Sequence, residues 1–167
     1  VKHDDELFLR IRYIQAARLV KINKRWRAST EKGFQLGMHS GRWKSITRMQ
    51  ERQPEEPVRP VKLYTWDTAD ALYIEPIKAL GLQPDGVITL QYALKRAIEE
   101  LFQVESGEIG AELMGDAGTP NIFIYEAAEG SLGVLSQFIT NPQTFKSVIE
   151  EAYRICRFDD AAYKELA

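Results

Sequence analysis

The residues best equipped for chemistry are cations with aromatic rings set among them. Arg10, Arg12, Arg18, Lys21, Lys24, Arg25 and Arg27 fall within 18 residues, and Arg42, Lys44 and Arg48 follow. Trp26, Phe34 and Trp43 are interleaved with them. Cations at this density pair with phosphates, and exposed rings stack on unpaired bases. On that reading the phosphate contacts fall to Arg10, Arg12, Lys24, Arg25, Arg27, Arg42 and Lys44, with Trp26 or Trp43 stacking. A plainer account fits the same pattern: the tryptophans are core, and the cations form a solvated face or dock on acidic surface.

A second set is acidic. Asp67, Asp70, Glu126 and Glu129 lie at or near expected strand ends, and clustered carboxylates can bind Mg²⁺ for phosphodiester hydrolysis. Their spacing alone does not bring them together. Between the last two and the next apolar run stands "EGSLG", with Gly130, Gly133 and a serine, Ser131, placed to cap a following helix. Backbone N–H groups at such a start can hold an anion. The pattern lacks the lysine of a nucleotide-binding loop, and Ser131 directly after Gly130 is not a nucleophile elbow. Glu126 and Glu129 would also repel a phosphate there. Gly130 and Gly133 are therefore expected to form a structural turn. His3 and His39 are too isolated for a zinc site or a triad, and Cys156 is the single cysteine. The side chains thus predict no metal and no catalytic centre.

These side chains need elements to position them. From Leu7 to Asn23 apolar and basic residues first alternate, with Arg10 and Arg12 on one parity and Leu9, Ile11 and Tyr13 on the other. A half-buried strand is expected, followed by glycine-punctuated strands and a hairpin around "MHSG". Residues 54–60, rich in proline and charge, predict a loop or linker, and Val61–Pro76 a long strand or two shorter ones. Ile88–Val104 carries apolar residues at helical spacing, with Thr89 or Asp85 as cap and Gly107 just beyond. "GEIGAELM" and "NIFIYEA" read as strands, the second buried on both faces. "LGVLSQFI" starts a helix, and Gln143–Arg157 forms a final amphipathic one. The fold class is α+β: a β-rich N-terminal part, then a helix, two or more strands and C-terminal helices.

The division expected is residues 1–53 as a basic β-rich part, 54–60 as linker and 61–167 as an αβ part, all in one compact domain. Residues 1–53 hold 13 Lys/Arg against 5 Asp/Glu, whereas the remainder holds 9 against 19. Such asymmetry means either that the halves pack on each other or that one faces a polyanion. No apolar run reaches the roughly 20 residues of a membrane span, and the charged start "VKHDDELF" is no signal peptide. A cytoplasmic setting and an origin as a piece of a larger chain are expected.

Several phrases, taken in order, resemble one family: "INKRWRASTEKGFQLGMHSGRW", "DTADALYIEP", "ITLQYALKRAIEELFQVESGEIG", "NIFIYEAAEGSLGVL" and "RICRFDD". They are similar to the MrfA-type zinc-binding domain, carried at the C-terminal end of superfamily 2 DEAD/DEAH-box helicases. Helicases of anti-phage systems such as DISARM are among its carriers. The resemblance runs from about Leu19 to the end of the chain. It implies a non-catalytic accessory domain, whose partners are DNA (expected single-stranded), the motor lobes of the same parent chain and possible further subunits. The parent would work in anti-phage defence or DNA repair, and ATP would bind only its motor, since no G-x-x-x-x-G-K-[ST] run occurs here. Members of the family carry a four-cysteine zinc site near their C-terminal end. Only Cys156 matches a position in that region, so the resemblance leads to an expectation of no zinc and no cofactor in this chain. Two rival functions are a protein-interaction module and a metal-dependent nuclease built on the acidic set.

Overall fold

The computed structural model describes residues 2–3, 6–24, 33–44, 56–77, 81–128 and 130–160. Contacts divide the chain into two compact units, residues 1–17 with 68–167 and residues 18–67. The described elements have the α+β character expected: strands predominate before residue 77, and helices and strands follow.

The larger unit opens with a short antiparallel pair, β1 (Lys2–His3) and β2 (Glu6–Leu7). The alternating stretch becomes the strand β3 (Leu9–Asn23), whose Leu9, Ile11 and Tyr13 are buried or half-buried while Arg10 and Arg12 are exposed. One bend interrupts it. Ala16 has φ 50°, a left-handed conformation that costs a non-glycine residue about 1 kcal/mol. It persists because the Ala16 N–H donates to the Asp70 carboxylate at 2.8 Å.

Two strands complete the scaffold of the smaller unit. β4 (Phe34–Gly37) pairs antiparallel with β5 (Val58–Val61). The stretch 54–60, expected as loop or linker, thus supplies most of a strand. Pro60 lies opposite Gln35, and a two-stranded ribbon tolerates proline because its outer N–H groups need no partner. The tight turn expected at "MHSG" is present: Gly41 N–H donates to Gly37 O at 2.9 Å, and Leu36 bridges to Trp43. The Glu56 carboxylate holds that turn, accepting the N–H groups of His39 and Ser40, each at 2.8 Å.

β6 (Leu63–Pro76) lies between β3 and β8 (Asn121–Glu126) in a sheet of order β3-β6-β8-β7, where β7 is Ile109–Met114. β8 runs antiparallel to both neighbours, with Leu72 opposite Ile124 and Ala111 opposite Ile124 on the other side. Leu72, Ile74, Ile109, Ile122 and Ile124 are all at most 1% exposed. Against them packs α1 (Pro84–Phe102) through Val87, Leu94, Ala97 and Ile98. Val148 and Ala152 of α3 (Pro142–Ile155) join the same core. Each valine, leucine or isoleucine side chain buried in this way contributes roughly 1.5–3 kcal/mol. Residues of opposite parity form the other face, where the Tyr125 ring lies directly over Gly110. A Cβ at Gly110 would stand 2.1 Å from a ring carbon, so the strand needs glycine there.

Helix boundaries differ from the periodic pattern at both ends. α1 starts at Pro84, whose fixed φ suits a first-turn position, and its N-cap is Gln83 rather than Asp85 or Thr89. It ends through Gln103 at φ 54°, well before Gly107.

Candidate nucleic-acid interface

The cations singled out by the sequence fall into three groups. Arg10 and Arg12 both reach Glu75 on the neighbouring strand β6, at 3.5 and 3.2 Å, while more than half of each side chain remains exposed. Lys44 is committed more firmly, with Nζ 2.6 Å from Glu56. That contact, followed by the bonds from Ser40 and His39, holds the Glu56 carboxyl far below the usual carboxylate range. Lys24 and Arg42 are exposed and carry no ion pair among the described residues. Arg25, Trp26 and Arg27 lie outside the described residues.

The rings are more telling. Trp43 is 57% exposed and touches Phe34 edge-on, with centroids 6.0 Å apart. It is not the core residue of the plainer account. A second exposed pair was not singled out from the sequence: the Arg18 guanidinium sits 4.9 Å above the Trp66 ring. Tyr64, two residues earlier on β6, is 66% exposed. The spacing of Tyr64 and Trp66 in "LYTWDT" was available as a signal, because residues two apart on a strand share a face.

Charge segregates with the folded units. Residues 18–67 hold 12 Lys/Arg against 5 Asp/Glu, a formal +7, and the other unit holds 10 against 19, a formal −9. The glutamates of the helices, possible docking partners for the basic strands, have partners of their own. Glu99 pairs with Lys95 and Arg96, and Glu100 with Arg96 and Arg154. Glu151 pairs with Arg154, and Glu150 with Lys146.

Of the acidic set, Asp70 and Glu126 do come together. The Ser131 hydroxyl lies 2.6 Å from Glu126 Oε2 and 3.0 Å from Asp70 Oδ2. Asp70 also accepts the Tyr13 hydroxyl at 2.7 Å. Bonds from Ala16 N–H, Tyr13 and Ser131 hold the Asp70 carboxyl below its ordinary value, and the same bond to Asp70 pushes Tyr13 up to about 12. Glu126, 1% exposed, accepts Leu135 N–H at 2.8 Å and Gly133 N–H at 3.2 Å. The turn's donors are therefore filled by the chain's own carboxylate. Gly130 and Gly133 adopt φ 76° and 71°, as a sharp turn requires. Ser131 does not cap a helix: the next one, α2 (Gln137–Thr140), is a single turn beginning after Ser136. Among the described residues no three His, Cys, Asp or Glu side chains could share a metal ion, and Glu129 lies outside them.

Residues 90–160 match the family described as the MrfA Zn-binding domain. No curated protein matches the chain. Among solved structures it is similar to one described as "Crystal Structure of DUF1998 helicase MrfA bound to DNA", at 11% identity and a TM-score of 0.42. That alignment covers 89% of this chain and 21% of the other, so the chain spans about a fifth of the length of that protein. The family match corrects one expectation. Zinc was excluded here for want of cysteines, yet the matching family is a zinc-binding one. The described residues do not supply a ligand set: Cys156, beside the core at the end of α3, has no second thiol or imidazole converging on it.

Proposed function

We propose that this chain, whose residues 90–160 match the MrfA Zn-binding domain family, is a non-catalytic accessory domain of an ATP-dependent helicase or translocase. It contacts DNA, in single-stranded form, beside motor lobes carried elsewhere in the parent protein, and it works in the cytoplasm. The parent protein serves anti-phage defence or DNA repair. One observation supports the DNA contact above others: a folded unit of formal charge +7 that leaves Trp43 and Trp66 more than half exposed. Excess cations attract the phosphate backbone by releasing its counterions, and exposed rings take the unpaired bases.

The proposed contact residues are not equal. Lys24, Arg42 and Trp43 are the most available, with Arg25, Trp26 and Arg27 next to Lys24 in sequence. Arg10 and Arg12 share the charge of Glu75, and Lys44 that of Glu56. Their attraction for a phosphate is reduced accordingly, because a neighbouring carboxylate opposes it at short range. Binding of a fluorescent single-stranded oligonucleotide by the wild type and by the double variant Lys24→Glu/Arg42→Glu tests the proposal. The variant should bind about tenfold or more weakly at low salt. Equal binding by both would contradict it.

A further inference from the structure

We propose that Arg18, Tyr64 and Trp66 together form a stacking site for unpaired nucleobases. This deepens the nucleic-acid reading above and rests on it. All three residues belong to the basic unit. Arg18 lies 4.9 Å above the Trp66 ring, and that ring remains 59% exposed. Tyr64 is 66% exposed and makes no hydrogen bond or ring contact among the described residues. Residues i and i+2 of a strand stand about 6.7 Å apart on one face, about twice the ~3.4 Å spacing of stacked bases. The gap between Tyr64 and Trp66 therefore suits one inserted base. The Arg18 guanidinium is itself planar and can cover a second.

The occupant follows from charge as well as shape. Val20 and Ile22, 50% and 53% exposed, extend the apolar surface on the parity of Arg18, so another protein could also cover it. The formal +7 of the unit favours a polyanion, and a ring already paired with a cation suits a ligand that is anionic in its backbone and aromatic in its bases. A duplex hides its base faces, so the site selects single strands.

The test compares an oligo-dT with an abasic oligomer of equal length, using the full chain. Trp66→Ala should weaken binding of oligo-dT about fivefold or more while leaving the abasic oligomer unaffected. Trp66→Phe should restore most of the loss. Tyr64→Ala, at a more exposed position, should give the same pattern and covers the case in which Trp66→Ala fails to fold. Equal affinity of the wild type for both oligomers, with neither alanine variant changing either, would overturn the stacking site and leave the phosphate contacts standing. Equal weakening of both oligomers would overturn it too. Failure of the wild type to bind either one at low salt would remove the underlying reading as well. If Trp66→Ala abolished self-association in sedimentation experiments and left both oligomers bound, the face would be a protein-docking surface and the proposal would fall.

Discussion

Glu126, the last residue of β8, accepts the backbone N–H of Leu135 at 2.8 Å, and both residues are at most 1% exposed. A strand end thereby secures the loop that follows it. The oxygens that reach Leu135, Gly133 and Ser131 belong to one carboxylate. Removing it leaves the buried Leu135 N–H without an acceptor and strips one from the half-buried Gly133 N–H, at about 1–3 kcal/mol for a buried group. Glu126→Ala should lower stability by about 3 kcal/mol in urea unfolding, and Glu126→Gln by less, since the amide keeps one acceptor. A loss below about 1 kcal/mol for the alanine variant would mean that the loop finds other partners.

Tyr13 and Asp70 set opposite ends of a pH profile. The folded state holds the Tyr13 proton up to about 12, above the ordinary phenol value near 10. Its contribution is therefore complete below pH ~10 and disappears as pH rises through about 12. Asp70 is shifted the other way, mainly by the Ala16 N–H and then by Tyr13. Its contribution is present above pH ~4 and is lost as pH falls through the lowered folded value. Thermal melts should show Tyr13→Phe costing about 1 kcal/mol at neutral pH and flattening the alkaline limb. Asp70→Asn should flatten the acid limb.

Gly110→Ala should be among the most damaging single-methyl changes in the chain. The added carbon would meet the Tyr125 ring at 2.1 Å, and Tyr125 is itself only 8% exposed. Overpacking of this kind costs about 1–3 kcal/mol. A double variant with Tyr125→Leu should recover part of the loss; no recovery would place the strain in the backbone.

Much of the larger unit was legible in the sequence, because burial imposes a period that residue types must obey. The amphipathic runs at Ile88–Val104 and Gln143–Arg157 became α1 and α3, displaced by one to four residues at their ends. The displacement follows from capping: Pro84 opens α1, and a left-handed Gln103 closes it. The helix expected from Leu132 onward shrinks to one turn, since Glu126 has taken N–H groups that such a helix would have used differently. β5 was hidden by Pro57 and Pro60, which argue for loop until a two-stranded ribbon is known to exist. At the interface the cations were visible as composition, but their pairings with Glu75 and Glu56 depend on tertiary contact. Arg18 and Trp66 lie 48 positions apart in the sequence and meet only across strands.

Glu56 couples the turn to the charge of the basic unit. Glu56→Gln keeps an acceptor for the His39 and Ser40 N–H groups while releasing Lys44. Oligonucleotide affinity should rise, and the dependence on salt should steepen. Lys44→Gln, which leaves the Glu56 carboxylate unneutralised, should lower affinity in the wild-type background and should also reverse the gain made by Glu56→Gln. Titrations over a series of ionic strengths check both.

The most direct measurement is the salt dependence of single-strand binding by the whole chain. The logarithm of the binding constant should fall linearly with the logarithm of salt concentration, with a slope of about −0.7 for each phosphate neutralised. Four or more engaged cations would give a slope near −3 or steeper, and Lys24→Glu/Arg42→Glu should make it shallower by roughly 1.4. A flat line, or no binding at low ionic strength, would contradict a DNA-facing role for the basic unit.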